Sequence, residues 1–111
     1  MQPRKIATLA GEACEEKQGG DVLILDLRRL NTIASYFVIA SGNSDRHVRA
    51  IADNVTSCLG VKKIDSRHVE GKEDARWMLI DYVDVIVHVF HHETRKFYNL
   101  ERLWGHAPQV K

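Results

Sequence analysis

The stretch Glu73 to Phe90, EDARWMLIDYVDVIVHVF, constrains the fold of this chain more than any other. Two short apolar runs, rich in branched and aromatic residues, flank a tight centre at Asp81-Tyr82-Val83-Asp84. Runs of this kind read as strands, and so short a centre reads as a hairpin turn. In strict alternation Trp77, Leu79 and Asp81 share one face while Met78, Ile80 and Tyr82 share the other; Val85, Val87 and Val89 then oppose Ile86, His88 and Phe90. One face is core. Trp and Tyr beside Asp81 and Asp84 also have the makeup of a protein-binding hot spot, large rigid anchors with a charged rim. Periodicity by itself leaves Trp77 equally well placed in the core.

The rest of the chain supplies partners for this hairpin. From Pro3 to Lys17 the positions Ile6, Leu9, Ala10, Ala13 and Cys14 recur at helical spacing; Pro3 suits a first turn and Gly19-Gly20 a stop. Asp21 to Leu27, DVLILDL, reads as a buried strand, with Asp26 as a turn or edge carboxylate. Tyr36 to Ser41 is a second strand. Gly42-Asn43 turns it into a helix with Ser44 as N-cap, Asp45 in the first turn, and Val48, Ile51, Ala52, Val55 and Leu59 as its apolar stripe, ended by Gly60. Ile64 to Glu70 alternates as an edge or half-exposed strand, and Gly71-Lys72-Glu73-Asp74 is a polar turn into Trp77–Asp81. The second hairpin strand spans Asp84 to Phe90. A last helix from Glu93 to Trp104 carries Phe97, Leu100, Leu103 and Trp104 at three- and four-residue steps, with His91 and His92 at its start and Gly105 and Pro108 beyond. The expected fold is an α/β (α+β) single domain over residues 1–111, a mixed sheet of about five strands with helices packed on it.

Bulk properties narrow the function. The chain has 111 residues and a formal charge of +1, so no long-range basic field announces a nucleic-acid partner. Cys14 and Cys58 are far apart, each in a helical pattern, which fits thiols in a reducing compartment. No apolar run is long enough for a membrane span, and the start resembles neither a secretory signal nor a transit peptide. The expectation is a cytoplasmic, bacterial protein.

Catalytic signals are weak. Ser41 to Asp45, SGNSD, lies between strand and helix and could offer N–H groups to a phosphate, with an echo of nucleotidyltransferase elements. Those enzymes hold divalent metals with grouped carboxylates, and no Asp-x-Asp or Asp-x-Glu pair follows here. His47, His68, His88, His91, His92 and His106 lack the spacing or companions of a metal site. His88 reads as a sheet residue between Ile86 and Phe90 with a polar partner. Arg28-Arg29, Arg46, Arg49 and Lys62-Lys63 are interleaved with Asp45, Asp53 and Asp65, so mixed solvated faces compete with an RNA-binding patch. No enzyme, cofactor or metal is expected.

Four separated motifs stand in one order: IASYFVIASGNSDRHVRAIA at 33–52, VEG at 69–71, RWMLIDYVDVIVHVF at 76–90 and FYNLERLW at 97–104. Together they closely resemble the ribosomal silencing factor, or Iojap, family over nearly the whole chain. The resemblance implies a small domain of nucleotidyltransferase-like topology without the catalytic carboxylates. It implies binding to large-subunit ribosomal protein fourteen where the small subunit docks, blocking subunit joining and lowering translation when nutrients are scarce. It further implies homodimers for some members, no sequence-specific nucleic acid, and a partner-binding surface of Trp77, Asp81, Tyr82 and Asp84 with His88 and Phe90 alongside. The alternatives are a nucleotidyltransferase-type enzyme and an RNA-binding ribosome assembly factor. One departure concerns the turn: the family usually has Gly between Tyr and Asp, where this chain has Val83, and Val disfavours positive φ.

Overall fold

The computed structural model describes residues 1–30, 34–98, 102 and 107–110. Its elements are α1 (Pro3–Glu16), β1 (Gly20–Asp26), β2 (Tyr36–Gly42), α2 (Asp45–Val61), β3 (His68–Glu70), β4 (Trp77–Asp81), β5 (Val85–His91) and α3 (His92–Tyr98). The five strands form one mixed sheet in the order β1-β2-β5-β4-β3. Only β2 and β5 run parallel; β1 pairs β2, and β4 pairs both β5 and β3, in antiparallel fashion. This is the expected α+β architecture.

The two faces of the sheet are built differently. Val38, Ala40, Met78, Ile80, Val85, Val87 and Val89 point toward α1 and α2 and join their apolar stripes in the main core. Small residues make this approach close: Ala7, Ala10, Gly11, Ala13 and Cys14 are buried in α1, and a Cβ on Gly11 would stand 3.0 Å from Ile24 Cδ1. Ile6 and Leu9, expected in that stripe, are only partly buried. The opposite face gathers Leu25, Leu27, Phe37, Ile39, Ile86 and Phe90 with Trp77 and Leu79 in a second cluster.

Several boundaries differ from the pattern in the sequence. β1 is an edge strand whose first half is exposed, not a buried one. Its outer side is covered by the C-terminal segment, where Asp26 N–H donates to Pro108 O and Val110 N–H to Ile24 O, both at 2.8 Å. Gly60 lies inside α2; the helix ends at Val61, and the left-handed residue that turns the chain is Lys63, at φ 63°. Likewise Gln18, at φ 59°, turns the chain after α1, while Gly19 passes so near Cys14 O that a Cβ would lie 2.9 Å from it. The strand expected from Ile64 shrinks to His68–Glu70, exposed throughout. Asp84 sits in the turn ahead of β5, and His91 ends β5 while His92 opens α3. The expected continuation of that helix through Leu100, Leu103 and Trp104 lies outside the described residues.

Gly71 holds the approach to β4. At φ +85° it adopts a backbone that L side chains rarely take, and an added Cβ would meet Trp77 O at 2.1 Å. Strain and overlap together should make Gly71→Ala destabilising by about 3 kcal/mol, read by equilibrium urea unfolding. A loss under about 1 kcal/mol would show that the loop yields freely.

Candidate functional site

The face of the sheet turned away from α1 and α2 follows from strand register. Trp77 stands opposite Phe90, Leu79 opposite His88, and Asp81 opposite Ile86 across β4 and β5. On the far side of β4, His68 faces Asp81 and Glu70 faces Leu79. Directly paired residues share a face, so Trp77, Leu79, Asp81, His68 and Glu70 form the outer part of one surface, with Ile86, His88 and Phe90 further in.

Burial divides the expected site residues. Trp77 and Asp81 are half-buried, and Asp84 is exposed. His88 and Phe90 are 4% and 0% exposed, which makes them the floor under Trp77 and not part of the displayed surface. Tyr82 is 6% exposed and belongs to the helix-side core, because the period of two puts it on the face opposite Trp77. Its buried hydroxyl has no hydrogen-bond partner among the described residues, and burial, with Asp65 nearby, pushes its pKa up to about 12. On β4 and its turn the accessible set is thus Trp77, Leu79, Asp81, Val83 and Asp84, with the exposed His68 and Glu70 of β3 beside them.

The floor is an aromatic cluster with one polar connection. The Trp77 ring lies 4.9 Å from Phe90, the Phe37 ring meets His88 edge-on at 4.6 Å, and the Trp77 Nε1–H donates to His88 Nδ1 at 3.1 Å. His88 therefore has its expected polar partner, and that partner is Trp77. Burial pushes the His88 pKa down to about 4, which keeps the ring neutral and its Nδ1 lone pair available.

The turn beside this cluster is held by Asp81. One carboxylate oxygen accepts the Val83 N–H at 2.7 Å and the other takes the Arg67 guanidinium at 2.5 Å. Burial pushes Asp81 upward, but the Arg67 and Val83 hydrogen bonds and the charges of Arg67 and His68 outweigh it and hold the carboxyl below its usual range. Val83 takes φ 75°, the conformation a glycine would take here, and is 51% exposed; Asp84 N–H donates to Tyr82 O at 3.0 Å across it. The valine therefore sits in a backbone conformation that its branched side chain disfavours and carries the strain. Asp81 is accordingly a brace, and Asp84 is the displayed carboxylate. Arg67 carries no local sequence signal for this role, since only the β3–β4 register brings it to Asp81.

The other candidate sites are structural. In the Ser41–Asp45 turn, the His47 N–H donates to Ser44 Oγ at 3.1 Å and the Val48 N–H to Ser44 O at 2.9 Å. The Asn43 N–H donates to His47 Nδ1 at 2.9 Å, and His47 Nε2 reaches Lys17 O at 2.7 Å, tying α2 to the end of α1. Donors engaged this way are not free for a phosphate. Asp26 forms a forked pair with Arg28; hydrogen bonding to Arg28 holds its carboxyl at about 2 against the opposing effect of desolvation. Arg49 is committed to the carbonyls of Lys72 and Glu73. Among the described residues, no group of three or more His, Cys, Asp or Glu is placed to hold a metal ion, and no helix is long and apolar enough to cross a membrane.

Comparison with known proteins decides the family. The family described as ribosomal silencing factor during starvation matches residues 1–111. The chain belongs to the ribosomal silencing factor family. It is 44% identical over 108 residues to ribosomal silencing factor RsfS of Bacillus subtilis, covering 97% of this chain and 92% of that protein. It is 30% identical to the chloroplastic protein Iojap of Zea mays, covering 95% of this chain and 46% of that longer protein. A crystal structure of a Chromobacterium violaceum protein superposes with a TM-score of 0.91 at 37% identity, covering 95% of this chain and 88% of that one. A second, from Bacillus halodurans, superposes with a TM-score of 0.84 at 38% identity, covering 97% and 98%. The family is one of ribosome-associated regulators, and the two crystal structures share the fold of this chain.

Two solution measurements follow from this geometry. His88 binds its proton at about pH 4 in the folded chain and near its ordinary 6.5 when unfolded, so the unfolded state takes up the proton first as pH falls. Stability should be full above pH 6.5 and decline by roughly 3 kcal/mol down to about pH 4, at 1.36 kcal/mol per pH unit. The same decline should be largely missing from His88→Leu when urea midpoints are compared across that range. Val83→Gly should raise stability by about 1 kcal/mol, relief of the positive φ outweighing the extra chain entropy of glycine. Thermal unfolding reads this, and an unchanged or lower midpoint would show that Val83 is unstrained.

Proposed function

We propose that this chain is a non-enzymatic translational repressor that binds the large ribosomal subunit through large-subunit ribosomal protein fourteen. Seated there, it blocks joining of the small subunit and lowers translation under nutrient limitation. Family membership supplies the ribosome. The observation that carries the contact is the half-buried Trp77 on the sheet face turned away from α1 and α2, backed by Phe90 and His88 and flanked by Leu79 and the Asp81–Asp84 turn. A rigid aromatic with a firm floor and a partly acidic rim suits a basic protein surface. Trp77 and Asp84 make the contact in this reading, with Asp81 bracing the turn at its edge; Tyr82, His88 and Phe90 shape it from behind. A steric block needs no cofactor and no reacting group.

Co-sedimentation with purified large subunits tests it. Trp77→Ala, well folded, should weaken binding by about 2 kcal/mol, near 30-fold, as truncation of a hot spot does. Large subunits stripped of protein fourteen should lose the chain. Undiminished binding in either experiment would defeat the reading, and equal affinity for naked ribosomal RNA with steep salt dependence would favour an RNA-binding factor instead. Asp84→Asn should slow association and flatten its salt dependence while leaving dissociation nearly unchanged, measured by stopped-flow or surface kinetics.

A further inference from the structure

The cluster under Trp77 contains an arrangement that packing alone does not account for. His88 is buried among Phe37, Ile86 and Phe90, yet its Nε2 finds no hydrogen-bond partner among the described residues. With Nδ1 accepting from Trp77, the ring proton resides on Nε2, so the buried N–H is the one left unsatisfied. A leucine would fill similar space without that cost. What His88 supplies and leucine cannot is the Nδ1 lone pair, and that lone pair faces the indole of the residue that carries the displayed surface.

We infer that His88 is a positioning residue for the interface: through Nδ1 it holds the Trp77 indole in the one orientation that presents its outer side to a protein partner. The geometry is close to complete. Contact with Phe90 at 4.9 Å and 31° sets the tilt of the indole but does not choose which edge of it points inward. The hydrogen bond at 3.1 Å makes that choice, since only Nε1–H can donate. His88 is itself held, edge-on against Phe37 at 4.6 Å and near-parallel to Phe90 at 6.1 Å, so the acceptor does not wander. β5 is buried along its whole length and pairs with strands on both sides, which makes the support rigid. An indole fixed before the partner arrives loses less freedom on binding.

The inference rests on the proposed Trp77 contact, and two substitutions separate it from a plain packing role. His88→Leu keeps volume and removes the acceptor; His88→Asn loses volume but places Oδ1 where Nδ1 stood. If His88 only packs, large-subunit binding follows stability and Leu outperforms Asn. If His88 positions Trp77, the order reverses: the more stable Leu variant binds at least about tenfold more weakly than the parent, the value of one well-made hydrogen bond, while the less stable Asn variant stays within about threefold. Binding that tracks the urea midpoints, or a Leu variant that binds like the parent, overturns the inference.

A second readout needs neither variant. In nitrogen-15 spectra of the unsubstituted chain, with the indole signals assigned through Trp104→Phe, the Trp77 indole N–H should exchange slowly with solvent and shift downfield. Fast exchange overturns the inference even where a variant fails to fold. Should Trp77→Ala bind undiminished, the proposed contact itself fails; should Trp77→Ala weaken binding while the Leu and Asn variants show no reversal, only the role of His88 fails.

Discussion

Strand β5 is the element on which everything else depends, because it is buried on both faces and paired on both edges. Val85, Val87 and Val89 face α1 and α2, while Ile86, His88 and Phe90 face the other way. Short branched residues on the helix side let α1 approach until its alanines and Gly11 meet the sheet. Larger residues on the other side raise a floor facing away from α1 and α2. Burial in that floor favours the neutral form of His88, and its Nδ1 accepts from the indole on the neighbouring strand. The interior and the displayed surface are therefore coupled through one hydrogen bond.

The turn between β4 and β5 shows a second coupling, between charge and shape. Asp81 occupies a position that reads as an acidic rim, yet both its oxygens are engaged, one by Arg67 from the β3 side and one by the Val83 N–H. That brace holds a valine at positive φ and aims Asp84 outward, while the Asp84 carbonyl receives the N–H groups of Ser35 and Tyr36 and so anchors the turn to the start of β2. Local strain is tolerated here because the surrounding pairings over-determine the backbone. At the turn itself, Asp81 is spent as a brace and Asp84 is the carboxylate on display.

Much of the architecture was legible from periodicity. The apolar stripe of α2, its Ser44 cap, the wholly buried β2 and the alternation of β4 and β5 follow from local chemistry, and each is where its pattern places it. The misreadings share a cause. Gly60 looks like a helix stop, but Lys63 takes the left-handed turn once Ile64 is drawn back to bond Leu59 O. The run after Gly20 looks like a buried strand because an edge strand covered by a distant C-terminal segment is as apolar as a central one. Ile64–Arg67 alternates as a strand would, yet β4 offers the ladder only from His68 onward.

The sequence by itself determined that two sets of side chains in Glu73–Phe90 lie on opposite faces, since a strand's period of two allows nothing else. It also carried, in four ordered motifs, enough to name the family. Which face is covered, and by how much, was decided only in three dimensions. Helices α1 and α2 pack against the Met78–Ile80–Tyr82 face, which took Tyr82 into the core and left Trp77 half in view. The register that sets Trp77 over Phe90 and Leu79 over His88 leads into a turn held by Asp81, whose other oxygen is taken by Arg67, ten residues upstream of Trp77, and no local pattern records so distant a contact.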